Sequence, residues 1–153
     1  MREQSGDTTR LAAFLTGDGR DHAGRSFEDV LAFDDAALER RHDFIQWLFP
    51  LPEPSLAVPS APVLTPDDLA ALKASPKAQA RLRQAAERMA AFYAGGLHWR
   101  TRHDHNHLRI TRIIRSLRLI LGDGPADAFK QQVLDLARGA PIDAAARRYW
   151  DQA

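Results

Sequence analysis

The stretch LRITRIIRSLRLILG, residues 108–122, decides the fold class. Ile110, Ile113, Ile114, Leu117, Ile120 and Leu121 recur at three- and four-residue intervals, which lines one side of an α-helix and no face of a strand. Arg109, Arg112, Arg115 and Arg118 fall three apart between them. At about 100° per residue, Arg109 and Arg118 flank the apolar arc, whereas Arg112 and Arg115 point away. The helix is expected to begin between His103 and Leu108 and to stop at Gly122, a residue suited to a helix end.

Toward the N-terminus the same period continues. Leu82, Ala85, Ala86, Met89, Phe92 and Tyr93 form a second stripe, which Ser75-Pro76 opens and Gly95-Gly96 closes. Thr65-Pro66-Asp67-Asp68 reads as another start: a Thr cap, proline at the first helical position, and acids near the positive end of the dipole. Six of the nine prolines lie from Pro50 to Pro66, yet Leu51, Leu56, Val58, Val63 and Leu64 share that run. So many apolar residues predict an extended connection packed along the surface, not a free linker. Before it, Asp34 or Asp35 is expected to cap one helix reaching about Phe49, with Leu38, His42, Ile45 and Phe49 on its inner face and Pro50 as its stop. Ser26 with Asp29 looks like a capping box for a short helix ending near Phe33. A weak helix covers Thr8 to Leu15, and residues 1–9 are expected to form a flexible N-terminus.

Toward the C-terminus, Pro125 and Pro141 are each expected to open a helix. Ala126, Phe129, Val133 and Leu136 face inward in the first, and Ile142, Ala145, Ala146 and Tyr149 in the second. Few segments alternate with period two. The expectation is an all-α single domain, an irregular bundle of six to eight helices.

The chain has 153 residues, 44% of them hydrophobic, and a formal net charge of +1. That is long enough for a real core, and the near balance of charge argues against a surface wholly committed to nucleic acid. The absence of cysteine excludes disulfides, thiolate nucleophiles and Cys-based zinc sites. No apolar run approaches the ~20 residues of a membrane-spanning helix, and no signal-peptide stretch opens the chain. A soluble cytoplasmic protein is the expectation. Abundant Ala and Arg suggest a GC-rich bacterial gene.

Two strings are unusual in combination. The first is His42-Asp43-Phe44-Ile45-Gln46-Trp47-Leu48-Phe49-Pro50-Leu51. The second is Trp99-Arg100, then His105-Asn106, then Leu108-Arg109-Ile110-Thr111-Arg112-Ile113. In this order, with a helix between them, they resemble the conserved domain of the opioid growth factor receptor family over residues 10–150. The resemblance makes Ile45, Trp47, Leu48, Phe49, Pro50, Trp99, Ile110 and Ile113 its structural signature. It implies a receptor-related, peptide-binding role, since the animal members are described as nuclear-envelope-associated receptors for an enkephalin peptide. Peripheral membrane association comes by that analogy alone. A stand-alone domain of this length is similar to the family's microbial members.

Candidate chemistry concentrates near the second string. Arg100, His105, Asn106 and Arg109, with Arg112, supply donors for a small anion pocket, because guanidinium groups fork onto carboxylate or phosphate and a helix start offers free N–H groups. His42 and Gln46, four residues apart, are candidates from the first string. The competing reading is a buried neutral His42 and a solvated basic face, or Arg109 held by an acid such as Glu39. His103, His105 and His107 alternate and would ligate a metal if extended; helical folding would scatter them, with Asp104 or Asn106 as cap. No metal or cofactor is otherwise implied.

The leading functional expectation is a non-enzymatic binding domain for a small anionic ligand, a peptide or another protein. One alternative is an enzyme acting on a phosphorylated or nucleotide-like substrate, with His42 or His105 as general acid or base. The other is nucleic-acid binding through the Arg109–Arg118 face, with Arg81, Arg83 and Arg88 behind it; acids elsewhere make nucleic acid the least expected partner.

Overall fold

In the computed structural model, residues 9–153 are described and are all-α: helices joined by turns and loops, without a strand among them. The chain divides into two compact units, Met1–Arg81 and Leu82–Ala153. The boundary falls inside one helix. The expected flexible stretch lies, up to Thr8, outside the described residues; Thr9 already caps the first helix.

The first unit holds α1 (Arg10–Thr16), α2 (Phe27–Leu31), α3 (Asp35–Arg40), α4 (Ile45–Leu48), α5 (Pro66–Ala74) and the start of α6 (Pro76–Gly95). Its helices are short, so local caps matter. Ser26 and Asp29 form the expected capping box on α2, and Thr65 and Asp68 form one on α5. The buried Asp68 carboxylate also accepts from the Thr9 hydroxyl, which ties the starts of α1 and α5 together. Ser75 accepts from the Ala78 amide at 3.0 Å, repeating the device on α6.

Phe14 sits edge-on to Phe27 at 6.1 Å and to Trp47 at 5.5 Å, with α1 packed against α4 and α5. Gly19 turns back onto α1 so tightly that a Cβ there would lie 2.6 Å from the Ala13 carbonyl carbon. The buried Asp21 carboxylate then organises the next loop. It accepts from the Ala23 and Arg25 amides, and from Arg25 Nε at 2.7 Å.

The single helix expected from Asp34 to Phe49 is two helices. Arg41 is extended (φ −86°, ψ 141°), and α4 starts only at Ile45. The break has visible causes. Asp43 is drawn to Arg25 Nη2 at 3.2 Å and to His22 Nε2 at 3.0 Å, while Phe44 turns edge-on to Phe33. Residues 44–50 are then buried one after another. Leu38, Ile45 and Phe49 are buried as expected, but on two separate helical segments, and His42 lies exposed instead of inside.

The proline run doubles back. Leu64 N–H donates to the Leu51 carbonyl at 2.9 Å, and both side chains are buried. Leu51 and Leu64 therefore pack as expected, whereas Leu56 is 97% exposed at the far end.

The carboxyls of Asp29 and Asp43 both lie below the ordinary 3.8. For Asp29 the Ser26 backbone and side-chain hydrogen bonds are responsible. Burial pushes Asp43 up, but the Arg25 charge with the His22 and Arg25 hydrogen bonds outweighs it. Groups depressed by folding add stability that is complete above their unfolded value and is lost as pH falls through the folded one. The melting temperature should therefore fall as pH drops from ~5 to ~2.5. Asp43→Asn should flatten part of that fall; a melting profile parallel to that of the parent chain over this range would refute the assignment.

The second unit contains the rest of α6, then α7 (His105–Ile120), α8 (Asp123–Leu136) and α9 (Ala144–Gln152), with α7 packed on both α8 and α9. Ile110, Ile113, Ile114 and Leu117 are wholly buried, so the arc read from sequence is the one used. Gly122 has φ 102° and its N–H reaches the Leu117 and Arg118 carbonyls, a left-handed helix end that side chains disfavour. Pro125 stands in the first turn of α8, two residues after its start. In α9 the inward ring is Trp150, fully buried, whereas Tyr149 is 58% exposed.

Candidate binding pocket

Six aromatic and polar residues build the start of α7. Trp99 is fully buried in the turn after α6 and donates from Nε1 to the Tyr93 carbonyl at 3.0 Å. The Trp99 carbonyl accepts from His107 Nε2 at 2.8 Å, which places a proton on that nitrogen. The His107 carbonyl accepts in turn from Trp150 Nε1 at 3.1 Å, and the two rings meet edge-on at 5.7 Å. Tyr93 Oη donates to Asn106 Oδ1 at 3.2 Å. Asp104 is the cap, and its Oδ2 accepts from both Asn106 N and Asn106 Nδ2 at 2.9 Å. These bonds fix the α7 start, the preceding turn and α9 against one another.

A pocket of about 450 Å³ opens on this frame. His103, Asp104, His105, His107, Leu108 and Thr111 form one wall; Asp143, Ala145, Ala146 and Tyr149 form the other. Leu108 is 69% exposed, a large apolar side chain on the face of α7 opposite the buried arc. The Asp143 carboxylate makes no capping bond to α9.

The sequence candidates disperse over this map. Asn106 and Arg109 do meet, with Arg109 Nη1 3.4 Å from Asn106 Oδ1, but both are buried beneath the surface. Arg100 turns instead to the Arg138 carbonyl at 3.0 Å, and its buried Nε has no hydrogen-bond partner. His105 is exposed on the pocket, its Nδ1 4.0 Å from the Asp104 carboxylate. Arg112 is half-buried on α7. In the first unit, Gln46 is buried and reaches the His42 carbonyl through Nε2 at 3.3 Å; its Oε1 has no partner.

The alternating histidines do not gather a metal: among the described residues no three His, Asp or Glu side chains form a group able to hold one. Asp104 starts the helix at His105, which separates the rings, and His107 Nε2 is committed to Trp99. The Arg109–Arg118 face is not a free basic stripe either. Arg109 is buried, and Arg118 is bound to Asp123 and Asp127 at 2.8 Å each, which raises its pKa further. Arg81, expected behind that face, is 6% exposed.

Sequence reading missed Leu108, Thr111, Asp143, Ala145, Ala146 and Tyr149 as site residues. One signal was present. Leu108 lies off the apolar arc, where a large side chain has no core to fill.

A family described as the opioid growth factor receptor conserved region matches residues 25–101. The opioid growth factor receptor of Rattus norvegicus is 39% identical over 100 residues, covering 52% of this chain and 17% of the relative. That of Homo sapiens is 34% identical over 142 residues, covering 76% of this chain and 20% of the relative. The chain thus spans a fifth or less of the length of these relatives. No solved structure matches it. Among the described residues no helix is long and apolar enough to cross a membrane. The pocket-lining residues, His103 to Tyr149, fall beyond the matched family region.

Proposed function

We propose, because the chain belongs to the opioid growth factor receptor conserved-region family, that it is a non-enzymatic binding domain whose α7–α9 pocket receives an apolar side chain of a peptide. The pocket's make-up carries this reading. Its volume of about 450 Å³ suits a small ligand or one or two side chains, and its walls combine apolar Leu108, Ala145 and Ala146 with polar groups at the mouth. Tyr149 adds a ring that presents apolar area with a polar tip, a residue type favoured where peptides dock. Two of the lining groups already have structural roles: Asp104 holds Asn106, and His107 holds the Trp99 carbonyl. The relatives' name, a receptor for a growth factor, supports the same reading.

Calorimetric titration of the full chain with a peptide panel, enkephalin included, tests it. A ligand at 100 times its Kd should stabilise the fold by about 2.7 kcal/mol. Ala146 is half-buried on the pocket wall. Ala146→Trp should fill the cavity and weaken binding by about tenfold or more, with the melting temperature nearly unchanged. Unaltered affinity in that variant would place the ligand elsewhere, and a panel without any binder would end the peptide reading.

A further inference from the structure

Charge is unevenly distributed along the chain. Residues 82–153 carry twelve Lys and Arg against seven Asp and Glu, a balance of +5, whereas residues 1–81 carry nine against thirteen, a balance of −4. In the second unit several acids are already spoken for: Asp123 and Asp127 by Arg118, and Asp135 by Arg138.

The surplus collects beside the pocket. Arg100 donates to the Arg138 carbonyl, and Arg147 donates to the Ala137 and Ala140 carbonyls at 3.1 Å each. Asp143 N–H donates to the Arg102 carbonyl at 3.1 Å. These bonds bring the turn after Trp99, the loop after α8 and the first turns of α9 to one corner. Carbonyls are neutral, so they orient Arg100 and Arg147 without cancelling their charge. Arg102 and Arg148 are exposed, and Arg148 immediately precedes Tyr149 in the pocket wall. The acids of this corner are Asp104, engaged with Asn106, and Asp143. These segments thus carry Arg100, Arg102, Arg147 and Arg148 against Asp104 and Asp143.

We infer that the peptide this pocket takes is acidic: an apolar side chain enters between α7 and α9, and flanking Asp or Glu residues lie on the arginine rim. The inference rests on the peptide-binding reading and adds the class of partner. Rim charges of this kind select among partners and accelerate encounter more than they add affinity, and their effect is screened by salt.

The test uses the full chain and three labelled peptides that share one central Phe and differ only in their flanks: glutamate, serine or lysine. Fluorescence anisotropy should rank them Glu, Ser, Lys, with the spread narrowing as NaCl rises from ~50 to ~300 mM. Arg102→Glu with Arg148→Glu should weaken the glutamate peptide by about tenfold or more and leave the serine peptide within about twofold. Arg102→Gln with Arg148→Gln, checked by circular dichroism, serves if the reversal does not fold. Equal binding of all three peptides would overturn the acidic assignment while leaving the pocket reading intact. Loss of all three would remove both. An oligo-dT strand binding as tightly as the glutamate peptide would also overturn it, since the corner would then read polyanions in general.

Discussion

Trp150→Ala is expected to lower stability by roughly 3–5 kcal/mol, the cost of emptying a fully buried indole site, and the melting temperature by about 10 °C. The loss has two parts. The α9 helix forfeits its buried anchor, and the His107 carbonyl loses the Nε1 donor at 3.1 Å. Because α9 forms one wall of the pocket, the proposed peptide binding should weaken with stability even though Trp150 does not line the cavity. Trp150→Phe separates the parts: it keeps most of the apolar volume, its edge-on partner His107 and the helix register, and should recover more than half of the loss. Differential scanning calorimetry decides the matter. A Trp150→Ala chain melting within about 2 °C of the parent would mean that α9 is not held by this ring.

Arg81→Met is the second large effect, expected at roughly 2–4 kcal/mol although it replaces a charge with a side chain of similar length. Arg81 Nη1 donates to the Phe14 carbonyl at 2.9 Å and to the Gly17 carbonyl at 2.8 Å, at the end of the seven-residue α1. Those carbonyls have lost their helical partners, and methionine offers none. The guanidinium also lies 5.0 Å over the Phe27 ring. Its ion pair with Glu28 is the lesser contribution, because the Glu28 side chain is 69% exposed. Glu28→Gln should therefore cost less than about 0.5 kcal/mol. If urea unfolding gave the two variants equal losses, the carbonyl account would fail.

What sequence disclosed and what it withheld divide along physical lines. Helix starts were legible because a cap is a local event: Ser26 with Asp29, Thr65 with Asp68 and Ser75 each act within three residues. The α7 arc and its end at Gly122 were legible for the same reason. The break between α3 and α4 was not, because it depends on Arg25 and His22 reaching Asp43 from about twenty residues away. Periodicity likewise cannot tell Tyr149 from Trp150 at the end of a short helix. Arginines were the hardest residues to place. Arg81 and Arg109 looked like surface charge yet are buried, since partners that justify burying a guanidinium are carbonyls and amide oxygens assembled by the fold. The candidate site was legible in part: His103, His105 and His107 line the pocket with Asp104, whereas Leu108, Thr111 and the α9 wall carry no motif, and Asn106 and Arg109 lie buried beneath it.

The proline-rich excursion between α4 and α5 is pinched at its base, where Leu64 bonds to Leu51, and bare at its tip, where Leu56 meets solvent. Its two ends stay adjacent whatever happens between them. That makes the tip a natural point for re-wiring the chain: new termini, a fluorophore or an inserted module placed there would leave the hydrogen-bonded neck intact. Among the described residues, the same tip offers a protease an exposed stretch of the folded protein.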